Sequence, residues 1–177
     1  MIFVTVGTQL PFERMVATVD AWAARQSPAP NILAQVGDGR TDYMSLRCVH
    51  SLDGESYQTA VSEARLIVAH AGTGSILTAL DHGVPVIVMP RDHLRGEHRD
   101  DHQQQTARQL EKMGLVAVAW DEVALPRLIE ATLARASEGR AARQRSTELV
   151  DYIRTYVQGV LGKQPRVTRS PASSPDT

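Results

Sequence analysis

Short apolar runs punctuate the chain at regular intervals. IFVTV (2–6), ILAQV (32–36), LRCVH (46–50), LIVAH (66–70), VIVMP (86–90) and LVAVA (115–119) each have strand length. Several are apolar throughout instead of alternating, which is the pattern of strands covered on both faces in a parallel sheet. Between most of them lie helix-length segments: PFERMVATVDAWAARQ (11–26), SYQTAVSEA (56–64), SILTALDH (75–82) and HQQQTARQLEKM (102–113). The first sets Phe12, Met15, Val16, Val19 and Trp22 at helical spacing, one apolar stripe for one buried face. Strand–helix–strand repetition requires right-handed crossovers and predicts an α/β, Rossmann-like, doubly wound parallel sheet of about six strands. The weakest join is GDGRTDYMS (37–45), which is too short and glycine-rich for a crossover helix.

After Asp121 the pattern turns helical. EVALPRLIEATLARASEG and RAARQRSTELVDYIRTYVQGVL predict two extra C-terminal helices broken at Glu138-Gly139, the second striped by Leu149, Ile153, Tyr156, Val157 and Val160. From Lys163 the proline- and serine-rich KQPRVTRSPASSPDT has no apolar period and reads as a disordered tail. The expected division is one domain over 1–162 and a tail over 163–177.

Composition narrows the class. A chain of 177 residues with 42% hydrophobic positions can bury a core without metal or disulfide help. The net charge of -1 gives no basic surface for nucleic acid, which is not an expected partner. Cys48 is the only cysteine, so no internal disulfide forms, which fits a reducing compartment; the expected location is cytoplasmic. MIFVTVGTQ has neither a basic n-region nor a signal-length apolar core. No run nears the roughly 20 apolar residues of a membrane span, so membrane contact is expected only peripherally, through a surface or a partner.

Candidate chemistry gathers where an open parallel sheet binds ligands, at the carboxyl ends of its strands. Loops that open a helix there present free N–H groups and the positive end of the helix dipole. Two loops qualify: Gly7-Thr8-Gln9 after the first strand, and His70-Ala71-Gly72-Thr73-Gly74-Ser75 after the fourth. Glycine lets a phosphate approach the backbone, and Thr73 and Ser75 add hydroxyls. The plainer alternative is a tight turn with Ser75 as the helix cap. A third loop, RDHLRGEHRDD (91–101), brings three arginines and two histidines to the same edge, a rim able to clamp an anion. His98 and His102 stand four apart, but no third ligand is assured and no metal is expected. Of Gln103, Gln104 and Gln105 at most two can face a site. No G-x-S-x-G elbow is present and Cys48 lies mid-strand, so covalent hydrolysis has no support. IFVTVGTQLPF lacks the glycine spacing of a dinucleotide fingerprint, which argues against an NAD-dependent oxidoreductase.

Taken together, GTQ-x2-F, HAGTGS-x7-GVP-x-IVMP and DHQ-x3-A-x2-LEK-x-G resemble the C-terminal, nucleotide-sugar-binding half of GT-B glycosyltransferases of family 28. The similarity runs over about residues 1 to 135. The group includes the lipid-II-forming N-acetylglucosaminyltransferase, the catalytic subunit of the eukaryotic dolichol-linked N-acetylglucosaminyltransferase, and single-domain bacterial enzymes of capsule and exopolysaccharide assembly.

The resemblance implies that Gly7, Thr8 and Gln9 face the diphosphate, that His70, Gly72, Thr73, Gly74 and Ser75 bind it, and that His102 and Gln103 reach the donor sugar. Many relatives carry an acidic residue where this chain has Thr78, so ribose recognition is expected to be looser or borrowed from Asp81. It implies an inverting transfer of a hexosyl or hexuronosyl residue from a UDP-sugar to a lipid-linked saccharide, with Ser75 and Arg91 stabilising the leaving diphosphate. No Asp-x-Asp occurs, so no metal or other cofactor is expected. A full GT-B enzyme has two such domains and this length holds one. The expectation is a donor-binding subunit whose membrane-anchored partner supplies the acceptor site and the base. The alternative is a non-catalytic nucleotide-sugar-binding or scaffold module.

Overall fold

The computed structural model describes residues 1–99, 101–137 and 155. Its elements run β1 (Ile2–Thr5), α1 (Glu13–Ala23), β2 (Ile32–Gln35), β3 (Arg47–Val49), α2 (Gly54–Glu63), β4 (Leu66–His70), α3 (Thr73–Asp81), β5 (Val86–Met89), α4 (His102–Lys112), β6 (Ala117–Val118) and α5 (Ala124–Ser137), with a 3-10 turn at His93–Arg95. All six strands are parallel, in the order β3-β2-β1-β4-β5-β6. This is the doubly wound architecture expected from the alternation of runs.

The uniformly apolar strands have a direct cause. In β1, Ile2 and Val4 face one layer and Phe3 the other; in β4, Leu66 and Val68 oppose Ile67 and Ala69; in β5, Ile87 and Met89 oppose Val86 and Val88. α1 and α5 cover the first face, and α2, α3 and α4 the second. With both faces dry, polar alternation has no place. The whole α1 stripe of Phe12, Met15, Val16, Val19 and Trp22 is buried. α5 starts where Asp121 accepts hydrogen bonds from the amides of Val123 and Ala124, and Pro126 falls in its first turn, where a missing N–H costs nothing.

The join between β2 and β3 contains no helix. The segment 37–46 takes the helix's place by lying against α1: Glu13 Oε1 accepts from the Arg40 amide at 2.9 Å, its Oε2 accepts from the Tyr43 hydroxyl, and Asp20 Oδ1 accepts from the Ser45 amide at 2.8 Å. Tyr43 and Leu46 then pack on the α1/α5 layer. The second C-terminal helix and the tail fall outside the described residues. Among the described residues no helix is long and apolar enough to cross a membrane.

Candidate functional site

The carboxyl ends of β1, β4 and β5 open on a cleft of about 430 Å³. Gly7, Thr8, Gln9, His70, Gly72, Gly74, Ser75, Thr78, Arg91 and Gln103 all line it. Thr73, Asp81 and His102 do not. Six residues that the sequence left out of the site join them: Thr5, Val6, Leu10, Gln35, Leu52 and Tyr57. His98, one of the two histidines of the expected anion-clamping rim and also weighed as a metal ligand, lines it as well.

The first loop is held by a closed ring of hydrogen bonds. Thr5 Oγ1 donates to Gln35 Oε1 at 2.5 Å, Gln35 Nε2 donates to the Gly7 carbonyl at 3.0 Å, and the Gly7 amide donates back to Thr5 Oγ1 at 3.2 Å. Thr5 and Gln35 are buried, and each has its polar atoms satisfied, as burial demands. Gln35 was legible in principle, since a glutamine closing an otherwise apolar strand must find partners. Gly7 itself takes φ of 79°, the left-handed region open to glycine.

The second loop turns on His70. Its ring is wedged between two glycines: a Cβ on Gly7 would come within 2.5 Å of the ring, and a Cβ on Gly72 within 2.0 Å. Burial, with the nearby Arg91 charge adding to it, pushes the imidazole pKa down to about 4, against a smaller pull from the Thr5 backbone. The ring is therefore neutral at pH 7, and its Nδ1 is buried with no partner among the described residues. Because the folded pKa lies below the unfolded value of 6.5, the unfolded chain takes up the proton first. The associated stability is complete above about pH 6.5 and is lost as pH falls toward 4, an effect on the order of 3 kcal/mol. Urea unfolding of wild type and His70→Asn across this range checks it: the wild-type slope between pH 6.5 and 4 is expected to flatten in the variant.

α3 begins beyond that ring. Its cap residue is Gly72 and no side chain caps it, so the proposed capping role of Ser75 is not what the structure contains. Ser75 sits within the first turn and lines the cleft. The Thr78 hydroxyl donates back to the Gly74 carbonyl at 2.9 Å.

The third loop departs most from expectation. Arg91 is 2% exposed, and its guanidinium donates to four backbone carbonyls: Pro11 at 2.6 Å, Leu10 at 2.5 Å, Val6 at 2.9 Å and Glu97 at 3.4 Å. Burial pushes its pKa down to about 10. Gln103 is turned inward and accepts from the Arg91 amide at 3.2 Å, while His102, one helical step away, is exposed. Arg95 pairs with Glu122 at 2.7 Å. Among the described residues no three His, Cys, Asp or Glu side chains are placed to hold a metal. Cys48 lies off the cleft, and burial pushes its thiol pKa up.

Residues 1–154 match the glycosyltransferase family 28 C-terminal domain. The chain belongs to that family. This family 28 domain is 34% identical over 123 residues to the UDP-N-acetylglucosamine transferase subunit ALG13 of Mus musculus, covering 63% of this chain and 10% of that protein. The chain thus spans about a tenth of the length of the mammalian relatives it matches. Among solved structures, it is similar to the solution structure of ALG13, with TM-score 0.55 and 21% identity, over 76% of this chain and 86% of that one. It is also similar to the glycotransferase of kitacinnamycin, with TM-score 0.62 and 18% identity, over 88% of this chain and 39% of that one. These structural likenesses place the family 28 domain in the GT-B, Rossmann-like fold.

Proposed function

We propose that the cleft binds a UDP-sugar and that the domain is the catalytic, donor-binding subunit of an inverting glycosyltransferase. The observation that carries this is the lining: among the described residues no Asp or Glu lines the cleft, whereas the uncapped start of α3, His70, His98 and the buried cation Arg91 all do. An anion fits there and a cation does not. The diphosphate lies between the Gly7 loop and the amides of α3, and Leu52 and Tyr57 offer an apolar wall for the base.

The acceptor hydroxyl attacks the anomeric carbon, the bond from that carbon to the β-phosphate oxygen breaks, and the acceptor proton passes to a base on a partner subunit. Negative charge grows on the departing UDP. Fixed N–H groups aimed at such charge are worth about 10²–10³ in rate per donor when removed from other enzymes. Ser75, in the first turn of α3, supplies such donors. With no lining carboxylate to chelate magnesium, the transfer runs without a metal cofactor.

Arg91 and Arg95 are committed to protein partners, so the cleft has less to offer a hexuronosyl donor than a neutral hexosyl one. The UDP-N-acetylglucosamine named for the ALG13 relatives is the first donor to try. The acceptor in this reading is a lipid-linked saccharide of exopolysaccharide or capsule assembly, presented at the cytoplasmic membrane face by a membrane-anchored partner carrying the acceptor half. Thr78, with its one hydroxyl turned to Gly74, favours a second reading, a non-catalytic nucleotide-sugar-binding or scaffold module.

The test is thermal shift with UDP, UDP-N-acetylglucosamine, UDP-glucuronate, a GDP-sugar and NAD, each with and without EDTA. The uridine ligands are expected to stabilise the domain, by about 2.7 kcal/mol at a hundredfold excess over Kd, and EDTA to change nothing. No shift with any uridine ligand overturns the site assignment. A shift without sugar transfer, even when a membrane-anchored partner is added, favours the non-catalytic module.

A further inference from the structure

Arg91 reaches backward across the sheet edge. Its carbonyl partners Val6, Leu10 and Pro11 bracket the Gly7-Thr8-Gln9 loop, and the fourth, Glu97, belongs to Arg91's own loop. The frame around it is densely bonded. The Phe12 ring lies beneath the Arg91 guanidinium at 4.7 Å and beneath that of Arg14 at 5.2 Å. Arg14 grips the Glu97 carboxylate with two nitrogens at 2.6 and 2.7 Å and donates to the Pro90 carbonyl at 3.2 Å. The Asp92 amide donates to the same carboxylate at 2.8 Å. One guanidinium thus ties the loop after β1 to the loop after β5, and a second locks the latter to α1.

Surface loops do not need a buried cation to stay closed, and an arginine taken out of water costs free energy unless its donors are met. Here they are met by carbonyls of the segment that carries the cleft-lining Gly7, Thr8 and Gln9. We propose that Arg91 is a positioning residue for nucleotide diphosphate binding: by holding Val6, Leu10 and Pro11 it fixes the Gly7–Gln9 loop opposite the start of α3, without itself touching the ligand. This rests on the UDP-sugar reading of the cleft. It replaces direct contact between Arg91 and the leaving group with control of where the loop amides stand.

The decisive variant is Arg91→Lys, which keeps the charge but replaces the planar fork, whose two separate nitrogens hold four carbonyls, with a single nitrogen. UDP and uridine are titrated by calorimetry into wild type, Arg91→Lys, Arg91→Met and Ile129→Ala, the last a core truncation in α5 that does not line the cleft. Amide hydrogen exchange is followed at Thr8 and Gln9. Arg91→Lys is expected to lose at least fivefold in UDP affinity and to keep uridine affinity within twofold, with faster exchange at Thr8 and Gln9. Ile129→Ala is expected to lose stability without that split. Wild-type UDP affinity in Arg91→Lys means that charge alone matters and overturns the proposal. So does an equal loss for UDP and uridine, the result of general destabilisation. If wild type binds no UDP, the cleft reading falls, and exchange at Thr8 and Gln9 then judges Arg91: unchanged rates in Arg91→Lys overturn its hold on the loop. Should Arg91→Met fail to fold, the lysine variant decides.

Discussion

Gly74→Asp is expected to abolish UDP binding while leaving the fold intact. Gly74 is exposed in the first turn of α3, and a Cβ added there meets nothing within 4 Å, so the substitution is sterically free. A carboxylate in the first turn of a helix is even mildly stabilising, by about 0.3–1 kcal/mol. The same carboxylate points charge at the place assigned to the diphosphate. At about 4 Å and an effective dielectric near 20, each like-charge pair costs about 4 kcal/mol, far more than the dipole term returns. The prediction is therefore an unchanged or slightly raised melting temperature without ligand, and a loss of more than a hundredfold in UDP affinity by calorimetry. Gly74→Ala, which adds the methyl without the charge, isolates the electrostatic part. Full UDP affinity in the aspartate variant would remove α3 from the site.

Gly72→Ala is expected to damage both the fold and the site. The new methyl would lie 2.0 Å from His70 Nε2, closer than any real contact, so something must move. The ring cannot retreat toward Gly7, where the space beside the backbone is only wide enough for a glycine. It can force the loop apart, at about 1–3 kcal/mol for overpacking, or swing into the cleft that it lines and occupy the ligand's place. Either route lowers UDP affinity, by tenfold or more. Thermal unfolding and UDP titration of Gly72→Ala, His70→Ala and the double variant form a cycle. If the clash is the cause, the alanine methyl is nearly neutral once the ring is gone. A double variant no more stable than Gly72→Ala would show that the glycine serves the backbone and not the histidine.

The sheet was legible because its physics is local: strands dry on both faces must be apolar, and β5 is so throughout while β1 and β4 turn polar only at Thr5 and His70, where they reach the cleft. The α1 stripe was legible for the same reason. The β2–β3 join was not, because what replaces the helix is two carboxylates, Glu13 and Asp20, that look like ordinary surface residues of α1 until Tyr43 and the Arg40 and Ser45 amides close on them. The two glycine loops were legible as loops at the ligand-binding edge. Which residue of an adjacent pair faces inward depended on helix phase. Gln103 shares its face with the buried Ala107 and Leu110, at i+4 and i+7, and His102 does not. That signal was present in the spacing. Arg91 was beyond it: an arginine in a polar loop reads as solvated, and only the arrival of Phe12 and three carbonyls from another segment turns it inward.

The strand order also sets a timetable. β1 lies in the middle of the sheet, hydrogen-bonded to β2 on one side and to β4 on the other. During synthesis it leaves the ribosome ahead of both, and its inner edge stays unpaired until Leu66–His70 has been made. A largely apolar strand in that position is open to mispairing between nascent chains. Slowing translation before β4 is complete should therefore lower soluble yield more than the same delay placed after β5.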